Sequence, residues 1–138
     1  MKQIIDKMQL RSRYGEVDKM GYIYHANYVS YCHQARTELL RKLNIHDKAL
    51  ESQGLILPVI SFEIKYLKPA YYDELITIKT TIKELPATRL NFEFEISNSL
   101  GEKISKATTT VVFADINTRL PKRVPDFIYN AIKNNLKT

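Results

Sequence analysis

The chain has 138 residues, a formal net charge of +6 and 44% hydrophobic residues, which is typical of one domain that buries a core without disulfides. Its single cysteine, Cys32, allows no internal disulfide and offers no metal-ligand spacing. The start of the chain does not have the pattern of a signal peptide, and no apolar run approaches the roughly 20 residues of a membrane span. We therefore expect a cytoplasmic protein with no membrane span. The basic residues are scattered among acids, so we expect no nucleic-acid partner.

The first part of the chain predicts one strand and one long helix. Residues 3–13 alternate weakly, as a strand does, and from about Tyr28 to Leu43 apolar residues recur every three or four positions. Asn27 is placed to cap this helix. Basic residues at the other end suit the negative end of the helix dipole.

The rest of the chain predicts four strands and a tail helix. The strands are expected at about 60–67, 75–83, 89–97 and 103–115. The first three should form an antiparallel meander with one apolar face, and Lys79 should lie opposite Glu93 if the second turn is centred near Pro86. The fourth, apolar on both sides, should be more central or covered by another subunit. Residues 125–137 can form a short amphipathic helix with Pro125 near its start.

One wide apolar helix face and one apolar sheet face predict the architecture. The helix can bury its stripe only against the sheet, and the sheet has one face to cover. We therefore expect an α+β fold in which a curved antiparallel sheet wraps around one long central helix. The outer face of the sheet is rich in Thr, Lys, Glu and Asn and can meet water or a partner.

The segment RYGEVDKMGYIYHANYVSYCHQARTELLR, residues 13–41, is the most specific motif of the chain. It resembles the N-terminal signature of hotdog-fold acyl-CoA thioesterases of the 4-hydroxybenzoyl-CoA thioesterase-like and YbgC-like branch. The matching positions are Arg13, Tyr14, Asp18, Gly21, Ile23, Tyr24, His25, Asn27, Tyr28, Ala35, Arg36 and Glu38. The segments at 62–74 and 101–125 look like later parts of the same family, so the resemblance covers nearly the whole chain.

The resemblance implies a fold, an activity and an assembly. Residues 1–138 would form a single hotdog domain that hydrolyses an acyl-CoA thioester without a metal or an organic cofactor. The minimal unit would be a homodimer whose sheets join edge to edge, with tetramers frequent and the active site at the subunit interface. The catalytic carboxylate would be Asp18.

The residues around Asp18 suit thioester hydrolysis. The reaction needs a carboxylate that attacks the carbonyl or activates water, together with donors for the oxyanion. Asp18 precedes the helix, and free N–H groups at the helix start, which we place at Tyr24 and His25, could polarise the carbonyl. Gly21 allows the tight loop between them. The sequence does not distinguish a nucleophilic Asp18 from a general base.

The neighbouring residues have further candidate roles. The His25 side chain could bond to the substrate carbonyl, orient the water or pack at the interface, and Tyr24 and Tyr28 would line the pocket. Asn27 is a helix cap or a substrate ligand. Glu16 is the rival carboxylate, since it would point to the same side as Asp18 on an extended segment.

Other reactive side chains have weaker cases. Cys32 and His33 are adjacent on a helix and therefore point about 100° apart, so they cannot form a nucleophile–base pair. Cys32 should lie in the core, and His46 has no evident partner. Another hotdog branch places its catalytic acid on the central helix. Glu38 is the one helix acid near that place in this chain, and we expect it to pair with Arg41 or Lys42 instead.

The positive charge suits the phosphates of coenzyme A, for which the candidate contacts are Lys65, Lys68, Arg89, Lys122 and Arg123. Two alternatives remain at this point. The acyl group could be carried by acyl carrier protein, or the module could bind acyl-CoA without hydrolysing it.

Overall fold

A computed structural model describes residues 2–136. Its main feature is a five-stranded antiparallel sheet, in the spatial order β1-β4-β5-β6-β3. The strands are β1 (Ile4–Arg11), β3 (Val59–Tyr66), β4 (Leu75–Ile82), β5 (Arg89–Ser97) and β6 (Lys103–Val112). Two short strands, β2 (Leu55–Ile56) and β7 (Ala114–Asp115), pair with each other. The hotdog architecture that the sequence predicts, a sheet around a helix, is confirmed.

Within residues 2–136, three α-helices accompany the sheet. The long helix α1 (Asn27–Lys42) and the tail helix α3 (Asp126–Asn135) lie where the periodicity predicts them. The short helix α2 (Asp47–Ser52) and a 3-10 turn at Tyr14–Glu16 were not predicted, because each is too brief to show a period. Leu136 is the last described residue of the tail segment, and the end of the predicted 125–137 helix falls outside the described residues.

The core lies between α1 and the inner face of the sheet. The helix contacts β1 and β4, and its buried stripe includes Tyr31, Cys32, Ala35 and Leu39. The alternating residues of β4 and β5 that face it are 2% exposed or less, namely Ile76, Ile78, Thr80, Ile82, Leu90, Phe92, Phe94 and Ile96. Burial of each large apolar side chain stabilises the fold by about 1.5–3 kcal/mol.

The predicted meander of the first three long strands is wrong in one respect. Strands β4, β5 and β6 follow one another in the sheet, but β3 lies at the far edge beside β6. The chain must therefore cross from the β3 edge of the sheet to β4, which lies beside the opposite edge strand β1. Strand β6 lies between β5 and β3, which confirms the expectation of a more central strand.

The predicted register of β4 and β5 is also wrong. Lys79 lies opposite Glu95, and Glu93 lies opposite Thr81. The midpoint of each pair falls at residue 87, so the turn is centred on Ala87, one position beyond Pro86. Lys79 still forms an opposite-charge contact, but with Glu95 rather than Glu93, and its Nζ lies 3.8 Å from the Glu95 carboxylate.

The crossing segment, residues 67–74, supports the start of α1. Its Tyr71 forms an isolated bridge with Tyr22, and Ala70 O accepts a hydrogen bond from Ile23 N at 2.7 Å. Ser12 Oγ donates to Tyr71 O at 2.6 Å. The crossing therefore fixes the loop that joins β1 to α1, and this loop carries the family motif.

Candidate active site

The loop between β1 and α1 is held on the helix by Glu16. Its Oε1 accepts hydrogen bonds from Arg13 N at 2.7 Å and from the Tyr31 hydroxyl at 2.9 Å. Its backbone carbonyl accepts from Tyr24 N at 2.8 Å and from Asn27 Nδ2 at 2.7 Å. Glu16 thus lies at the end of a 3-10 turn and faces α1, and it does not share with Asp18 the extended segment that the sequence pattern predicts.

Asp18 lies in a tight turn two residues further on. Its Oδ1 accepts from Met20 N at 2.9 Å and from Tyr22 N at 3.2 Å. Gly21 has a φ of +81°, a conformation that glycine adopts without strain. Within residues 2–136, no hydrogen bond reaches Oδ2 of Asp18. The turn therefore fixes the half-buried carboxyl group and leaves one oxygen available.

A cavity of about 300 Å³ lies beside this carboxyl group. It brings four of the predicted site residues together, namely Asp18, His25, Tyr28 and Lys68. The other residues that line it are Met20, Tyr22, Ile23, Tyr66, Leu67 and Pro69. The cavity is thus formed by the loop before α1, the first turn of α1, the end of β3 and the start of the crossing segment.

The other predicted substrate contacts lie elsewhere in the chain. Lys65 borders a larger depression of about 590 Å³ on the outer face of the sheet, and Arg89 lies at the start of β5 opposite Val112. Tyr24 is 48% exposed and does not line the 300 Å³ cavity. Asn27 directs its amide to Glu16, and the position expected for it as a helix cap is taken by Ala26.

The start of α1 offers backbone donors, but not both of those predicted. Tyr24 N already donates to Glu16 O at 2.8 Å, so it is not available to a substrate. In the part of the chain that the structure describes, the N–H groups of His25 and Ala26 have no acceptor. Of these two residues, His25 lines the 300 Å³ cavity, so its N–H is the candidate donor at the positive end of the helix dipole.

Tyr66, which the sequence predicts only as an apolar strand residue, closes one side of the cavity. Its hydroxyl donates to His25 O at 2.9 Å, and its ring lies 5.4 Å from that of Tyr28 and 6.1 Å from that of His25. The alternation of β3 predicts the side to which Tyr66 points. It cannot predict that the end of β3 contacts the start of α1, because that contact depends on the crossing segment.

The phenol of Tyr28 is kept neutral. Burial, then the neighbouring Tyr66 and Glu74, raises the pKa of Tyr28 to about 12. The ring is 2% exposed and packs edge-on against Tyr31 at 5.7 Å. Tyr28 is therefore a neutral wall of the cavity at physiological pH.

The other reactive side chains occupy structural positions. Cys32 is buried as predicted, and burial raises the pKa of its thiol to about 12, so the thiolate nucleophile is absent at neutral pH. His46 does have a partner, because its Nδ1 accepts from Ala49 N at 3.3 Å and caps α2. Glu38 pairs with Arg41, as predicted.

Two findings concern the described residues as a whole. No three His, Cys, Asp or Glu side chains within residues 2–136 come together in a way that could hold a metal ion. No helix in that range combines the length and the apolar character that a membrane crossing requires.

Comparison with known proteins places the motif in a family. Residues 12–132 match the family described as the thioesterase-like superfamily. The acyl-CoA thioesterase YbgC of Haemophilus influenzae is 34% identical over 118 residues, which cover 84% of this chain and 85% of that protein. The acyl-CoA thioester hydrolase YbgC of Escherichia coli O6:H1 is 29% identical over 133 residues, which cover 96% and 99%.

A solved structure agrees with these relatives. The DHNA-CoA thioesterase from Staphylococcus aureus superposes with a TM-score of 0.87 and 31% sequence identity, over 95% of this chain and 92% of that one. The similarity therefore extends over both the sheet and the loop that carries Asp18.

Proposed function

This chain belongs to the thioesterase-like superfamily, and on that premise we propose that it hydrolyses acyl-CoA thioesters, with Asp18 as the catalytic carboxylate and the His25 N–H as an oxyanion donor. One observation carries the proposal. The fixed carboxyl group of Asp18 and the unused N–H at the start of α1 belong to residues that line the same 300 Å³ cavity. A thioester carbonyl held there would have an attacking group on one side and a positive dipole on the other.

Asp18 can act in two ways. As a general base it removes a proton from water, whose oxygen adds to the carbonyl, and the C–S bond then breaks to release the thiol of coenzyme A. As a nucleophile it adds to the carbonyl itself, expels the thiolate and forms a mixed anhydride that water cleaves. A single turnover in ¹⁸O-labelled water distinguishes the two, because only the nucleophilic route can leave the label in the Asp18 side chain.

The roles of the neighbouring residues follow from their positions. The His25 imidazole, at the cavity wall, can bond to the substrate carbonyl or orient water. Gly21 keeps the turn tight, and Tyr28 shapes the pocket. Lys68 lies at the cavity and is our candidate for a coenzyme A phosphate, although its Nζ is 2.6 Å from Glu102 and would have to exchange that partner.

We further propose that the protein acts as a homo-oligomer, a dimer or tetramer, through the free edge of β3. This edge strand exposes Val59, Ile60 and Tyr66 to about half their full extent, and an apolar strand edge favours pairing with another chain. A second subunit there would cover the cavity beside Tyr66 and place the active site at the interface. Light scattering on the wild type and on Ile60→Lys tests this, since a monomeric wild type would contradict it.

The decisive experiment is a thiol-release assay over acyl-CoAs from short aliphatic to aromatic. We expect Asp18→Asn to lower kcat/KM by about 100-fold or more. Glu38→Gln is the matched control, because Glu38 is a carboxylate on α1 that pairs with Arg41 outside the cavity. Undiminished hydrolysis in Asp18→Asn would refute the assignment of the acid. If the wild type releases thiol only from acyl carrier protein, or from no thioester, the carrier-protein or binding-module alternative replaces the proposal.

A further inference from the structure

Tyr66 extends from the end of β3 to the start of α1, and the mechanism above gives it no role. Its hydroxyl donates a hydrogen bond to His25 O at 2.9 Å. Its ring also packs edge-on against the rings of Tyr28 and His25, at 5.4 and 6.1 Å between ring centroids. All three residues line the 300 Å³ cavity. The strand is thus bonded to the residue whose N–H is the candidate oxyanion donor.

The first turn of α1 has long hydrogen bonds of its own. Tyr28 N donates to His25 O at 3.3 Å. Val29 N donates to Ala26 O at 3.2 Å. Both distances are at or beyond the long end of the usual range for N–H···O bonds, whereas the 2.9 Å of the Tyr66 hydroxyl is within the range for O–H···O bonds. The end of β3 therefore holds the His25 carbonyl more closely than the helix itself does.

Two hydrogen bonds together restrict the backbone of His25. The peptide group before this residue carries its N–H, and the carbonyl of the same group, Tyr24 O, accepts from Asn27 N at 2.9 Å. The peptide group after it carries the His25 carbonyl, which Tyr66 holds. Because each peptide group is planar, holding both of them leaves the two backbone dihedral angles of His25 little freedom. The position of its N–H therefore depends in part on a hydroxyl group from another element.

On the basis of the proposed function, we propose that Tyr66 is a positioning residue for the reaction, whose hydroxyl holds the backbone of His25 so that its N–H is in place when the oxyanion forms. Donors that are already oriented stabilise a transition state because they need no reorganisation as the charge develops. Tyr66 acts through His25 and does not itself touch the reacting atoms. The phenol must keep its proton in order to donate. Burial, and then the neighbouring Cys32, raises the pKa of Tyr66, so the hydroxyl remains a donor at neutral pH.

The test is Tyr66→Phe, which keeps the ring contacts and removes the hydroxyl. In the thiol-release assay we expect kcat to fall by about 10- to 100-fold while KM changes by about two-fold or less, because a misplaced donor weakens binding of the transition state and not of the substrate. Tyr72→Phe is the matched control, since Tyr72 lies on the crossing segment, is half exposed and does not line the cavity. It should keep the kcat of the wild type.

A spectroscopic measurement separates positioning from a purely structural role. The probe is the acyl-CoA that the wild type hydrolyses fastest, with ¹³C at its thioester carbonyl, bound to Asp18→Asn so that hydrolysis is slow. Hydrogen bonds to the bound carbonyl lower its infrared stretching frequency relative to the free substrate. We expect Tyr66→Phe, added to Asp18→Asn, to reduce this shift. An equal shift with and without the Tyr66 hydroxyl would refute the inference.

The remaining outcomes separate this inference from the proposed function. If Tyr66→Phe keeps the kcat of the wild type, or changes only KM, the inference is refuted and the thioesterase proposal stands. Tyr66 also lies on the strand edge that we propose for assembly, so light scattering should give the same mass for Tyr66→Phe and the wild type. A loss of activity that accompanies a loss of subunits would refute the positioning role. If the wild type hydrolyses no acyl-CoA, the proposed function itself fails, and this inference fails with it.

Discussion

Asp18 and Glu16 are carboxylates of the same loop, two residues apart, with different surroundings. Both oxygens of Glu16 are engaged, Oε1 by Arg13 N and the Tyr31 hydroxyl, and Oε2 by the Arg13 guanidinium at 3.4 Å. Asp18 receives two backbone N–H groups, both on Oδ1. The comparison teaches how to rank neighbouring acids. A carboxylate whose acceptors are all used holds the structure, whereas a fixed carboxylate with one free oxygen beside a cavity can do chemistry.

The largest expected effect is a difference in activity between variants of Asp18 and variants of Glu16. Asp18→Asn should lower kcat/KM by about 100-fold or more, yet change the free energy of unfolding by less than about 1 kcal/mol, because the amide oxygen can still accept the two backbone N–H groups. Glu16→Gln should retain far more activity. Thiol release and urea unfolding on the same preparations measure both quantities. Equal loss of activity in the two variants would contradict the ranking.

The second effect concerns stability. Glu16→Ala removes the acceptor of the buried Tyr31 hydroxyl and of Arg13 N, so we expect the free energy of unfolding to fall by about 1–3 kcal/mol. A double-mutant cycle with Tyr31→Phe isolates the contact between the two side chains. We expect a coupling of about 1 kcal/mol. Additive effects would show that the hydrogen bond contributes nothing to stability.

Much of the fold could be predicted because it depends on local patterns. The period of α1 and the alternation of β4 and β5 each follow from which residues must face a core. Alternation does not specify the neighbour of a strand, so it could not place β3 at the far edge. The register of β4 and β5 failed for a related reason, since a shift of one residue in the turn centre moves Lys79 from Glu93 to Glu95.

The candidate site, like the fold, can be predicted only in part from the sequence. The motif indicated Asp18, His25 and Tyr28, which do line one cavity. The motif could not show that Tyr24 N is already bonded, because its acceptor is the carbonyl of Glu16 in the folded loop. It could not indicate Tyr66 either, since that contact needs the folded crossing of residues 67–74.

A third prediction uses pH to test the Glu16–Tyr31 contact. Burial, and then the hydrogen bond to Glu16, raises the pKa of Tyr31 above its usual 10.0. The folded state thus favours the neutral phenol, and this stability is complete below pH 10 and is lost as pH rises toward the folded pKa. We expect a shallower alkaline decline in the free energy of unfolding for Tyr31→Phe than for the wild type. Tyr28 contributes in the same direction, so Tyr28→Phe is the matched comparison.

The smallest effect comes from a third kind of carboxylate, that of Glu95 on the exposed face of the sheet. It contacts Lys79 at 3.8 Å and Lys103 at 3.2 Å, and all three side chains are more than a third exposed. Water screens such pairs, so Lys79→Gln should lower the free energy of unfolding by about 0.5 kcal/mol or less, and less still in high salt. Urea unfolding at two salt concentrations measures this. If Lys79→Gln lowered the free energy of unfolding as much as Glu16→Ala does, the burial and hydrogen bonds of a carboxylate would not determine its contribution to stability in this protein.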